Sequence, residues 1–245
     1  MALKLAIAGA NGRMGRMLAE AARADPEVNV FAAFDRDDDA HAALNGAAVL
    51  IDFTRPEATI GYLALCEKHR VNMVIGTTGF SAGQIELIHQ AAEKIAVVLA
   101  PNMSLGVNVT AKLVAMAASS LGMDADIEVF EAHHKMKVDA PSGTALMLGG
   151  VAAAARGQSL DAVAVYDRHG KNEARTPGSI GFTSMRAGDI VGDHTVFFAL
   201  KGERIEITHK SSSRATYAEG AIRAAKFLSG KPAGLYTMAA VLGLE

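Results

Sequence analysis

The chain has 245 residues, half of them apolar, a formal net charge of −2 and a single cysteine. That length allows one large domain or two modest ones, with a substantial core either way. The near-neutral charge argues against a nucleic-acid or membrane-surface partner, and Cys66 alone cannot close an intrachain disulfide.

The opening run, Met1 to Ala8, is too short and apolar only in part for a secretory leader, and it enters a glycine turn instead of a cleavage site. No segment reads as the roughly eighteen apolar residues of a membrane helix, so a cytoplasmic protein is expected.

Leu3 to Ala8 is a nearly all-apolar run, the pattern of a buried parallel strand. Gly9-Ala10-Asn11-Gly12-Arg13-Met14-Gly15 follows at once, then a helical spacing through Met17, Leu18, Ala21 and Ala22. Val28 to Phe34 is a second strand, and Asp35 closes it, twenty residues after Gly15. Strand, glycine turn, helix, strand and acidic residue in that order form a dinucleotide fingerprint. The glycines let the backbone approach a pyrophosphate, and the helix start supplies N–H donors and partial positive charge. Asp35 would accept hydrogen bonds from ribose hydroxyls, whereas Arg36 could pair with a 2′-phosphate. Together they predict use of both NADH and NADPH.

Residues 37–46 read as a solvated connection. Strands are predicted over 48–52, 71–75 and 95–99. Between them lie a helix from Pro56 to about His69 and one capped by Ser81 running to about Glu93. Small or polar residues stand at each strand's carboxyl end: Phe53-Thr54, Gly76-Thr77-Thr78 and Ala100 to Asn102. In an open parallel sheet those ends share one ligand crevice.

Leu105 to Leu121 is a long helical stretch, and 126–131 alternates as a half-buried strand. That strand leads into Glu131-Ala132-His133-His134-Lys135-Met136-Lys137-Val138-Asp139-Ala140-Pro141-Ser142-Gly143-Thr144. A histidine near neutrality, cations and a helix start in one segment suit an acidic small molecule. Ser142 is the natural N-cap of the helix to about Arg156. On extended backbone the rings of His133 and His134 face opposite ways, so they make a poor metal pair and no metal is expected.

Further strands are predicted over 162–166, 179–186, 193–200 and 204–209, giving a small α+β unit with an antiparallel-leaning sheet. One covered face leaves the other for an oligomer contact, so a homo-oligomer is expected. The helix 217–228 and the apolar tail return to the first domain. The fold predicted is α/β, a Rossmann-like doubly wound parallel sheet (1–104 and 215–245) with an inserted α+β substrate and oligomerisation domain (105–214).

The stretch Glu131 to Thr144 closely resembles the signature of 4-hydroxy-tetrahydrodipicolinate (dihydrodipicolinate) reductases. The likeness extends through the glycine turn, Ile51 to Pro56, Val74 to Phe80 and Arg186-Ala187-Gly188-Asp189-Ile190-Val191-Gly192, and covers essentially the whole chain. The connection at 37–46 looks shorter than in many members.

The resemblance implies NAD(P)H-dependent formation of tetrahydrodipicolinate on the diaminopimelate route to lysine, by a tetramer. It implies His133 as proton donor and Lys137 as a second catalytic donor. His134, Ser142, Gly143 and Thr144 would hold a small dicarboxylate. The cofactor would meet Gly9, Ala10, Asn11, Gly12, Arg13, Met14, Asp35, Arg36, Gly76, Thr77, Thr78, Ala100, Pro101, Asn102 and Met103.

Two rivals fit less well. Another two-domain dehydrogenase would need other motifs in its second half, and an aldehyde-oxidising one a nucleophilic cysteine, whereas Cys66 sits in a predicted helix. A nucleotide-sensing regulator has no use for His133, Lys137 and Ser142-Gly143-Thr144 together.

Overall fold

The computed structural model describes residues 2–245, which divide into two compact units, 2–105 with Ala215–Glu245, and Gly106–Arg214. In the first unit, β1 (Leu3–Ala8), β2 (Val28–Phe34), β3 (Val49–Asp52), β4 (Asn72–Ile75), β5 (Ala96–Leu99) and β11 (Gly234–Tyr236) form one sheet. Its order is β11-β5-β4-β3-β1-β2, and every pairing is parallel.

Because side chains alternate across a strand, the apolar runs feed two cores. Leu5, Ile7, Val49, Ile51, Val74 and Val98 pack on one face with α1 (Arg13–Ala24) and α8 (Ala215–Leu228). Ala6, Leu50, Met73, Ile75 and Val97 pack on the other with α3 (Pro56–His69) and α4 (Ala82–Ala92). Each fully buried aliphatic side chain here contributes about 1.5–3 kcal/mol. The order reverses at β1, whose neighbours β2 and β3 follow it in sequence on opposite sides. Connections leaving such a point in opposite directions open a crevice at the strands' carboxyl ends.

Two parts of this unit differ from expectation. The connection after Asp35 contains a short helix, α2 (Ala40–Leu44), capped by Asp39 and anchored by fully buried Leu44. The tail adds the edge strand β11 and α9 (Met238–Leu242).

The second unit holds β6 (Asp126–His133), β7 (Ala164–Val165), β8 (Ile180–Arg186), β9 (Gly192–Ala199) and β10 (Arg204–Ser211), in the order β10-β9-β6-β8-β7. The sheet is mixed and leans antiparallel, as expected: the long β6–β9 and β9–β10 pairings are antiparallel, whereas β6–β8 and the two-residue β7–β8 pairing are parallel. The helix α6 (Gly143–Ala155) carries the chain back over one face, which lets β8 run alongside β6. That face buries Ile127, Val129, Ile180, Val196 and Phe198 against α6 and α5 (Leu105–Leu121).

Contrary to the sequence reading, α5 with the 3₁₀ turn after it, Leu105–Asp124, is long and apolar enough to cross a membrane by length and composition alone. Lys112 and Asp124 are its only charged residues. One side of it, with Val114 and Ala118, is buried in the core of the second unit.

Candidate active site

In the first unit a cleft of about 510 Å³ opens where β1 and β3 end. The turn after β1 delivers Gly9, Gly12, Arg13, Met14 and Gly15 to its wall, and Asp35 and Arg36 enter from the end of β2. Gly12 is the N-cap of α1 and no side chain caps the helix, so its positive end faces outward on bare backbone. Gly15 permits the close approach: a Cβ there would lie 2.2 Å from the Gly9 carbonyl oxygen. A backbone cradle at a helix start, with an acidic residue beside it, fits a nicotinamide dinucleotide.

Ala10 and Asn11 complete the turn. The Asp35 carboxylate accepts from the Asn11 backbone N–H at 3.2 Å and from its side-chain amide at 2.5 Å. Arg36 is fully extended into solvent, 4.0 Å from Asp37.

The remaining cofactor expectations divide. Thr78 is exposed, whereas Thr77 is buried and shares a hydrogen bond with Thr59. The Phe53 ring fills the space beside Gly76. Pro101 is exposed, and Asn102 accepts from the Ser104 N–H through its side-chain oxygen. The side chains of Ala100 and Met103 lie in the core, so what these two positions can offer a cofactor is backbone.

Sequence reasoning put Phe53 and Thr54 at the crevice edge without assigning them to the cleft, and missed Arg55, Ala58 and Tyr62 entirely. Pro56 at the start of α3 was the signal available, because it fixes that helix's first turns at the same edge.

The second cluster is in the other unit and is made of side chains. Glu131 and His133 lie two apart on β6 and so project from one face. The Glu131 Oε2 is 2.6 Å from His133 Nδ1. Arg186, the register partner of His133 on β8, donates to both oxygens of Glu131 at 2.7 and 2.8 Å and also to the Asp139 carbonyl. Burial alone would raise the Glu131 pKa, but hydrogen bonds from Arg186, Ser184 and His133 outweigh it and hold it at about 2.

Burial pushes His133 below the ordinary histidine range, with Glu131 opposing and the charges of Lys137 and Arg186 adding to the drop. His194 on β9, its ring centroid 5.1 Å from that of His133, is pushed by burial to about 4 and is neutral near pH 7.

Lys137 pairs with Asp139 at 2.7 Å on the loop after β6. His134 follows the strand, half-buried where His133 is buried, and its Nε2 lies 3.2 Å from Arg214. Gly143 and Thr144 form the first turn of α6, Gly143 exposed.

Ser142 is the expected N-cap of α6. Its hydroxyl caps α6 through the Ala145 N–H and meets His194 Nε2 at 3.1 Å, and its own N–H donates to Glu131. Only 2% exposed, it helps build the site. Glu131, Arg186 and His194 escaped assignment because their pairing joins positions far apart in the chain. Among the described residues no three His, Cys, Asp or Glu side chains gather to hold a metal.

Family models match both halves of the chain: dihydrodipicolinate reductase, N-terminus, over residues 3–103, and dihydrodipicolinate reductase, C-terminus, over 106–242. The chain is 53% identical to the 4-hydroxy-tetrahydrodipicolinate reductase of Burkholderia multivorans, covering 99% of this chain and all of that one. It is 52% identical to the enzyme of the same name from Nitrosospira multiformis, covering 99% of this chain and 98% of that one. Among solved structures, dipicolinate-bound dihydrodipicolinate reductase from Paenisporosarcina sp. TG-14 matches its fold with a TM-score of 0.79 at 24% identity, covering 97% of this chain and 98% of that one. The two family matches and the full-length identities place this chain in the dihydrodipicolinate reductase family.

Proposed function

We propose that this chain reduces 4-hydroxy-tetrahydrodipicolinate, by way of dihydrodipicolinate, to tetrahydrodipicolinate on the diaminopimelate route to lysine, using NADH or NADPH. The observation that carries the reading is the buried Glu131–His133–Arg186 cluster beside Lys137, in a chain whose relatives of that name match it end to end. A bound nicotinamide supplies the hydride.

Hydride addition to a conjugated imine builds negative charge, and a proton must quench it. His133 gives that proton, and Lys137 is the second donor. The substrate is a dicarboxylate, so the cations of the cluster and the positive end of α6 at Gly143 and Thr144 match its two ends. His134, held beside Arg214, adds a further donor. Asp35 favours NADH and the solvent-extended Arg36 favours NADPH, so both cofactors serve, within about a hundredfold (about 2.8 kcal/mol) of each other.

The assay follows nicotinamide oxidation coupled to a synthase that makes the unstable substrate from pyruvate and aspartate semialdehyde. Turnover with both cofactors is expected. Tight NADH binding without turnover would overturn the assignment.

The chain also assembles as a homo-oligomer, a tetramer, through the open face of the five-stranded sheet. That face carries Phe130, Thr183, Met185 and Phe197, opposite the one covered by α5 and α6. A monomer in sedimentation at micromolar concentration would refute this.

A further inference from the structure

Both oxygens of Glu131 are spoken for. Oε2 receives His133 Nδ1 at 2.6 Å and Arg186 Nη1 at 2.8 Å. Oε1 receives Arg186 Nη2 at 2.7 Å and the Ser142 N–H at 3.2 Å. The residue is 1% exposed, so no water competes for these positions. An ionised carboxylate only accepts, so the hydrogen shared with His133 belongs to Nδ1. Nε2 is then the nitrogen left to exchange a proton. It faces Gly192 on β9, where a Cβ would come within 3.0 Å of it, so glycine keeps a side chain from crowding that nitrogen.

We infer that Glu131 is a positioning residue for the reduction: it locks His133 with hydrogen on Nδ1, presents Nε2 as the donating nitrogen and stabilises the imidazolium, while Arg186 keeps Glu131 ionised. The inference rests on His133 being the proton donor. In the step, the Nε2–H bond of the imidazolium breaks and the proton joins the substrate. His133 is left as the neutral Nδ1–H tautomer that Glu131 already holds. No proton passes to Glu131, and solvent recharges Nε2.

The groups facing His133 are Glu131 on its own strand, Arg186 on β8, His194 on β9, and Lys137 on the following loop, itself paired with Asp139. Arg186 and Lys137 oppose charge on the ring and His194 is neutral near pH 7. Glu131 is therefore what keeps a protonated His133 accessible in a buried, cationic setting.

Glu131→Gln keeps the shape and removes the charge. Its effect is read by NMR titration of ¹⁵N-labelled histidine in the cofactor-free protein and by the pH profile of kcat/KM. In the parent, Nδ1 should stay protonated throughout while Nε2 titrates. In Glu131→Gln the His133 pKa should fall by about one unit or more, and the alkaline limb of kcat/KM should move down with it. At neutral pH the loss of kcat should be about ten- to hundredfold.

Lower activity with the titration and the limb unmoved would mean a merely structural role and overturn the inference, as would unchanged activity. Should Glu131→Gln fail to fold, Glu131→Asp decides: a partial fall of the His133 pKa supports the inference, and a parental value overturns it. His133→Gln separates the two claims. Full turnover in that variant defeats His133 as donor, whereas impaired turnover there with no shift in Glu131→Gln defeats the role of Glu131 alone.

Discussion

In the first unit the cleft is organised around one continuous turn, residues 9 to 15, whose glycines bring backbone to its wall, with residues from the ends of β2 and β3 completing it. In the second, the His133 ring sits in a cluster of side chains from β6, β8, β9 and the loop before α6, joined across up to 55 positions. A backbone cradle needs glycines at fixed spacing and tolerates an exposed Arg36 beside an Asp35 held by Asn11. A side-chain cluster needs burial and full hydrogen-bond satisfaction, because an unmatched buried charge is costly. The first kind of site is robust to changes in its neighbours; the second fails as a unit.

The sharpest way to break this contrast is at Lys137. Lys137→Ala should lower kcat by a hundredfold or more, since acid–base groups contribute about 10²–10⁴, and NADH affinity should not move. An unchanged kcat in steady-state assays would remove Lys137 from the catalytic set.

Next comes acid stability. The Glu131 pKa is depressed from 4.5 to about 2, so its stabilising effect is complete above 4.5 and is lost as pH falls towards 2. Up to roughly 3 kcal/mol is at stake. Urea unfolding near pH 6 and near pH 3 should show roughly 2 kcal/mol of that drop in the parent and a smaller one in Glu131→Gln. Equal drops would show that the pair does not store the energy.

On the other side of the comparison, Gly15→Ala would push a Cβ into the Gly9 and Ala10 carbonyls. Overpacking of this kind costs about 1–3 kcal/mol, so NADH binding measured by fluorescence should weaken about tenfold while the His133 titration stays put. Parental affinity would mean that the turn can shift freely.

The smallest effect is expected at Lys226, which bridges Asp25 and Glu27 at 2.7 and 2.9 Å on the surface of the first unit. Lys226→Ala should cost about 0.2–1 kcal/mol in urea unfolding. A larger loss would show that this surface pair is stronger than its exposure suggests.

The same contrast explains what could be read from the chain. β1, β2 and α3 were legible end to end, because each is an apolar or periodic run bounded by Gly, Asp or Pro. The helix α2 was not: only Leu44 buries fully, and Asp37 to Asp39 disguise its start as solvated loop. Three residues, Gly234 to Tyr236, carry no period from which an edge strand could be inferred.

At the sites, the glycine turn declares itself because its chemistry is local. His133 and Lys137 entered through a resemblance. Glu131 and Arg186 stand in the same quoted motifs, yet their pairing depends on β6 lying beside β8, which no local pattern states. Ser142 is legible as a cap because its serine stands directly before an apolar helical run, and the structure shows that role.

The most direct test of the account compares parent and His133→Gln for two quantities on one preparation: NADH dissociation constant and turnover in the coupled assay. The account predicts an NADH dissociation constant within about twofold of the parent and turnover reduced by about a hundredfold or more. Full turnover, or loss of NADH binding along with it, would contradict the division of labour between a backbone cradle for the cofactor and a buried imidazole for the proton.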